Sequence, residues 1–425
     1  MKTIEQIAAQ LQGYDPQALR ADAARNFLSA LVTPVADIHT VQLKDALGAV
    51  LAQDVVSPIH VPAHDNSAMD GYAFDGTQLR SDQVLHLDIV GTAFAGKAWD
   101  GTVGPGQCVK IMTGAIMPQG LDTVAPQEIV SRNGDRIAIP SGALQRGDNR
   151  RFKGEDLTAG EPALAAGARV TPAALGLLAS LGIAQVDVRR RVRVAFFSTG
   201  DEVLSLGEAP REGAVYDSNR YTLFGLLTRM GVEVIDMGVV RDDPGALEAA
   251  FRTATAQADA VITSGGVSVG EADHTKAVMR KLAGGDAGVV FWKIAMRPGR
   301  PMAVGRIGNA VLFGLPGNPV AVMVTFLAFV RPALLQMMGS TPAAPPLLKA
   351  KSLETLRKKP GRTEYQRGVV SSAPDGSLVV KTTGQQGSGV LSSMAQANGL
   401  IVLHHDQGDA LAGQEVDVMM FEGVI

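Results

Sequence analysis

RVRVAFFSTGDE, residues 191–202, runs from a basic lead-in through a short apolar strand into a glycine turn and two acids. The strand, expected over Val192 to Phe197, is the first of four, the others lying at Val232 to Met237, Ala258 to Thr263 and Ala310 to Phe313. Helices are expected between them: one from near Asp217 to Gly231, one starting at Asp243-Pro244, one near Asp273 and a long one at Asn318-Pro319. Short apolar strands alternating with capped helices make a doubly wound, mostly parallel α/β sheet covered on both faces. Residues 189–340 form that domain.

The chain on either side reads differently. At 425 residues it is too long for one ordinary core, and about two to four domains are expected. Residues 1–56 are mostly helical in pattern, and residues 57–150 are rich in Gly, Pro and β-favouring runs such as Val84 to Val90 and Gln107 to Met112. Helical pattern returns at Thr171-Pro172, an N-cap with its first-turn proline, and runs to an expected C-cap at Gly182, so residues 151–188 read as the second part of the helical domain. The β-rich unit therefore reads as an insertion in a discontinuous helical domain. After a Pro/Ala linker at Pro342 to Pro346, residues 341–425 alternate strands with Gly turns and show no convincing helix, which predicts a small β-barrel or sandwich.

Composition excludes several function classes. No apolar run approaches the roughly 20 residues needed to cross a bilayer, so no membrane role is expected. A formal charge of -3 gives no general attraction to nucleic acid. Cys108 stands alone, which rules out an internal disulfide or a zinc site of several thiolates and suits a core residue. The amphipathic helix expected over Thr3 to Gln12 lacks the layout of a secretory signal, and cytoplasmic residence follows as the default.

Ligands of an open α/β sheet bind beyond the carboxyl ends of its strands. Three turns stand there: Ser198 to Glu202, Thr263 to Gly270 and Gly314 to Pro319. Their glycines let backbone N–H groups approach an oxyanion, and the helix starts add positive dipole ends. Neither GxxxxGK[ST] nor GxGxxG is present, so ordinary ATPase and dinucleotide chemistry are not expected. The same rim carries Asp201, Glu202, Asp242, Asp243, Glu271 and Asp273, which would repel an anion unless a cation such as Mg²⁺ lay between. Asp243, followed by Pro244, is read as a helix cap. Lys276, Lys293, Arg297 and Arg300 are expected to cluster around Trp292 and could grip a tetrahedral oxyanion. His60, His64, His404 and His405 show no metal spacing, and His404 and His405 are expected on alternate faces of a strand.

Taken together, SAMDGYA (67–73), IMTGA (111–115), FSTGDE (197–202), TSGGVSVGEAD (263–273), RPGRP (297–301) and GLPGNP (314–319) resemble the molybdopterin molybdenumtransferase family. That family includes the carboxyl-terminal domain of gephyrin, and the likeness runs in order over essentially the whole chain. The resemblance implies a homodimer of four-domain subunits, with the active site where the α/β domain of one subunit faces the β-rich domain of the other. It implies an enzyme that inserts molybdenum from molybdate into adenylyl-molybdopterin and releases AMP, with Mg²⁺ as its ion. Transient contact with the molybdopterin adenylyltransferase and with molybdoenzyme maturation proteins is implied as well.

Matched motif to motif, Asp70 and Thr113 resemble the essential pair of the β-rich domain. Glu202, Asp242 and Asp273 resemble the catalytic, metal-holding acids. Ser264, Gly265 and Gly266 resemble the pterin phosphate cradle, with Pro316, Asn318 and Pro319 at the last turn. Lys276, Lys293, Arg297 and Arg300, with Arg362 and Ser393 from the barrel, are the expected substrate-binding set. Many relatives carry KPGKP where this chain has RPGRP, which keeps the charge and changes the donor geometry. The alternatives are the adenylyltransferase of the preceding step, whose domain shares the sheet, and a dimeric peptide-binding scaffold.

Overall fold

Val194 to Phe197 are buried on both sides, and alternate residues feed different cores. Val194 and Phe196 pack in one cluster with Ile262 and Phe313, whereas Ala195 and Phe197 pack in another with Val261 and Leu312. Two apolar clusters on opposite faces of one strand mean a sheet covered twice, as the period of two requires. The computed structural model describes residues 3–267, 274–285, 287–340 and 346–421.

The central sheet and its helices are numbered from this strand: β1 (Arg193–Thr199), α1 (Ser218–Met230), β2 (Glu233–Val240), α2 (Pro244–Gln257), β3 (Ala260–Ser264), α3 (His274–Leu282), β4 (Val289–Lys293), β5 (Pro301–Ile307), β6 (Ala310–Leu315) and α4 (Pro319–Met337). Strand order is β2-β1-β3-β6-β5-β4. The pairs β1–β2, β1–β3 and β3–β6 are parallel, and β6–β5 and β5–β4 are antiparallel. Helices α1 and α4 contribute Leu223, Leu227, Val320 and Val324 to one core, and α2 and α3 contribute Leu247, Phe251, Val278 and Met279 to the other. The helix signals act as read: Asp217 caps α1, Gly231 ends it at φ 80°, and Asp243 caps α2 ahead of Pro244.

Three sequence expectations need correction here. The antiparallel edge strands β4 and β5 were not foreseen, since Lys293 and the Pro and Gly residues between them break the apolar run. Trp292 is not wrapped in bases: it is buried, its Nε1 donates to the Tyr14 hydroxyl at 3.0 Å, and Phe27 meets it edge-on. Helix α4 is the one helix among the described residues long and apolar enough to cross a membrane, but most of it is buried inside the protein. It takes a π turn over Phe326–Val330, just ahead of Pro332, whose missing N–H cannot continue the i→i−4 ladder.

Among the described residues the amino-terminal segment has α-helices at Ile4–Gln10 and Ala21–Leu31 and a 3-10 turn at Leu43–Asp45, and Ile38–Gln42 is a strand paired with Gln185–Arg189. Val55–Val56 likewise pairs with Pro162–Leu164. The chain between these paired ends forms its own six-stranded sheet, which runs Thr123–Pro126, Gly71–Phe74, Gln107–Ile111, Leu85–Ala93, Arg136–Ile139, Ser131–Asn133. Cys108 lies in the core of that sheet, and burial pushes its thiol up to about 12, too high for a nucleophile.

The carboxyl-terminal strands are β7 (Leu348–Ser352), β8 (Thr363–Ser372), β9 (Leu378–Thr382), β10 (Gly399–Leu403) and β11 (Glu415–Met420). They close in the ring β8-β9-β7-β11-β10-β8, a five-stranded barrel. A short helix, Leu391–Gln396, interrupts the all-β expectation. His404 and His405 lie in the turn after β10 rather than on a strand, and His404 Nε2 stands 2.6 Å from Asp417 Oδ2. Met296–Arg297 pairs in parallel with Thr363 and Glu364 at the start of β8, so the barrel is stitched directly to the RPGRP segment.

Candidate active site

The strands β1, β3 and β6 end side by side, because Ser198 pairs with Ser264 and Ser264 with Leu315. Their following turns open into one cleft of about 1010 Å³. Gly265 (φ 94°) and Gly266 (φ 65°) sit in the left-handed region. A Cβ on the first would lie 2.4 Å from Thr199 O, and on the second 2.3 Å from Thr275 Oγ1, so only glycine fits this approach. Pro316, Asn318 and Pro319 line the cleft at the head of α4.

Charge of both signs meets there. Glu202 and Asp242 line the cleft from the turns after β1 and β2, and Arg297 and Arg300 line it from the segment stitched to the barrel. Gln386 to Gly389 complete the wall from the barrel side. No group of three or more acid, His or Cys ligands able to hold a metal occurs among the described residues. Glu202 and Asp242, both lining this cleft, could hold a cation that needs only one or two protein carboxylates.

Several expected residues lie elsewhere. Asp273 and Glu271 fall outside the described residues. Lys276 does not line the cleft, its Nζ lying 5.9 Å from the Phe291 ring, and Lys293 in β4 does not line it either. Arg362 is paired with Glu364 at 2.7 Å instead of facing the cleft. Ser393 is buried and does not line the cleft, accepting from Arg367 Nε at 2.9 Å and donating to Val390 O at 2.6 Å. Asp70 and Thr113 are together: Asp70 Oδ1 accepts from Thr113 N at 2.7 Å and from its hydroxyl at 2.8 Å. Those two bonds, the backbone one first, hold the Asp70 carboxyl below its ordinary range. Neither residue lines the cleft of its own chain.

Sequence reasoning missed Asn219, Arg367, Gln386 and Ser388. Arg367 is wholly buried on β8, and its guanidinium gathers the carbonyls of Gln385, Gln386 and Gly387 at 2.9–3.2 Å. It thereby holds the loop that presents Gln386 and Ser388 to the cleft. Burial, and then the Arg297 charge, pull its pKa below the usual guanidinium value. The glycine-rich run GQQGSG at 384–389 was the available signal for this loop.

The comparisons with known proteins agree with this layout. Residues 19–182 match the family profile "MoeA N-terminal region (domain I and II)", 195–336 "Probable molybdopterin binding domain", and 349–421 "MoeA C-terminal region (domain IV)". The molybdopterin molybdenumtransferase of Haemophilus influenzae is 41% identical over 408 residues, covering 96% of this chain and all of that protein. The chain belongs to the molybdopterin molybdenumtransferase family. A second molybdopterin molybdenumtransferase, from Nostoc sp., is 36% identical across 96% of this chain and 95% of its own length. The crystal structure of the molybdopterin biosynthesis moeA protein from Pyrococcus horikoshii OT3 superposes with a TM-score of 0.80 at 27% identity, covering 95% of this chain and 100% of that one. For a molybdopterin molybdenumtransferase, the four-part layout and the barrel are thus the family's own architecture.

Proposed function

We propose that this cleft inserts molybdenum from molybdate into adenylyl-molybdopterin, giving molybdenum cofactor and AMP. The observation that carries the reading is the convergence of the Ser264-Gly265-Gly266 turn, Glu202 with Asp242, and Arg297 with Arg300 on a single cleft. Backbone N–H groups of the glycine turn bind a phosphate of the pterin, while Pro316, Asn318 and Pro319 shape the opposite wall. Arg297 and Arg300 hold molybdate, their forked donors suiting a tetrahedral oxyanion. Gln386 and Ser388, fixed by Arg367, take the barrel-side role that the sequence reading gave to Arg362 and Ser393.

Mg²⁺ is the ion assigned to Glu202 and Asp242, with Asp273 as the third acid of the proposal; when bound it supplies positive charge to the pyrophosphate. The chain's own contribution is electrostatic positioning; Ser198, which lines the cleft, donates to Asp217 Oδ1 at 2.9 Å, and that carboxylate also caps α1. Asp70 and Thr113 reach the cleft of a second copy in a homodimer. The enzyme works in the cytoplasm and meets the adenylyltransferase and molybdoenzyme maturation proteins transiently.

The test is AMP release from adenylyl-molybdopterin with and without molybdate. Molybdate-dependent release together with activation of a molybdenum-free apoenzyme supports the reading. ATP consumption on unmodified molybdopterin would instead favour adenylyl transfer. The matches over the amino-terminal region and the barrel count against that alternative.

A further inference from the structure

Asn219, near the start of α1, ties together two turns of the cleft. Its Nδ2 donates to Ser264 Oγ at 2.7 Å and to Gly317 O at 2.7 Å. A backbone carbonyl can only accept, so the Gly317 contact fixes which end of the amide faces the turns. Both amide N–H bonds are then in use. At the other end Oδ1 is buried and has no hydrogen-bond partner among the described residues, so the side chain is held by its donors alone.

The consequence falls on Ser264. The residue is buried to 2% exposure, yet it lines the cleft beside Gly265 and Gly266. A hydroxyl carries one proton, and an oxygen that already accepts from Asn219 directs that proton elsewhere. Ser264 Oγ donates to no acceptor among the described residues, and the open side is the cleft.

We propose that Asn219 is a positioning residue: it makes Ser264 an obligatory hydrogen-bond donor to an anionic oxygen of the pterin substrate and locks the Ser264 turn against the Pro316–Pro319 turn. This rests on the molybdopterin reading of the cleft. Asparagine is required because its amide donates twice. An aspartate at the same place could donate to neither partner, would draw the serine proton to itself and would add a negative charge opposite the substrate.

The test uses the full chain with Asn219→Ala, Asn219→Asp, Ser264→Ala and the Asn219→Ala/Ser264→Ala double variant. Equilibrium binding of adenylyl-molybdopterin, KM, kcat and thermal unfolding are measured for each. Losing a hydrogen bond to an anion weakens binding by about 10-fold for Asn219→Ala and Ser264→Ala, and by about 100-fold for Asn219→Asp. KM rises in step while kcat stays within about twofold, and the double variant binds no worse than Ser264→Ala alone, because the two residues act through one bond. Additive losses in the double variant, or wild-type affinity in Asn219→Asp, overturn the proposal. Should the aspartate variant not fold, the alanine cycle decides by itself. A wild-type chain that binds no adenylyl-molybdopterin overturns the functional reading, whereas wild-type binding with no effect at Asn219 overturns this inference alone.

Discussion

Gly266 has no room for even one more carbon. At φ 65° its Cβ would stand 2.3 Å from Thr275 Oγ1 and 2.6 Å from Thr275 Cβ, and Thr275 is fully buried on α3. Gly266→Ala is expected to combine left-handed strain of about 1–2 kcal/mol with overpacking of about 1–3 kcal/mol, and to move the cradle turn. Calorimetric titration with adenylyl-molybdopterin should show affinity reduced by at least about 10-fold; unchanged affinity would detach this turn from the substrate. Arg367→Met makes a second case. It would leave the carbonyls of Gln385, Gln386 and Gly387 without their shared donor, destabilising the protein by about 3 kcal/mol in urea melts and raising KM for molybdate. A raised KM without lost stability would show that Arg367 touches substrate itself. Glycines and acids of the rim were legible in sequence because they follow apolar strands directly. Arg367 was not, since a buried arginine inside a strand leaves no local mark until the loop it holds is seen.

At the scale of elements, the starts of β1 and β3 are pinned by one carboxylate. Asp259 receives both terminal nitrogens of Arg190 at 2.9 Å and the Arg193 N–H at 2.8 Å, just ahead of β3. Burial pushes its pKa up, but the bonds from Arg190 and the Arg193 N–H, with the Arg190 charge, outweigh that and leave it below the ordinary 3.8. A carboxyl lowered in the folded state adds stability that is fully present above its unfolded value and disappears as pH falls through the folded one. Asp259→Asn should therefore cost about 2 kcal/mol near neutrality, with the gap from wild type closing below about pH 4. Urea titrations at pH 7, 5 and 3 follow it; a gap independent of pH would mean that the carboxylate charge contributes nothing. The four parallel-run strands were readable because each is a short apolar run with a cap or glycine at its end. β4 and β5 were not, because Lys293, Arg300 and the prolines near them look like a loop until the sheet edge receives them. LSSMAQ at 391–396 is too short for helical periodicity to register.

At the scale of the molecule, the β-rich unit and the cleft do not meet within one chain. No residue between 57 and 150 lines the cleft, although Asp70 and Thr113 bind each other as a preformed pair on that unit. If the pair completes the cleft of a second copy, two inactive variants can repair each other. Asp70→Asn damages only what a subunit lends, and Asp242→Asn damages only what it keeps. A mixed dimer then has one site carrying both lesions and one carrying neither. Random pairing of equal amounts puts half the chains in mixed dimers, so AMP release should recover to about one quarter of wild type from two nearly inactive proteins. Sedimentation must first establish that the mixture contains mixed dimers. If it does and no activity returns, Asp70 serves its own chain, and the two units would have to swing together within one subunit during turnover.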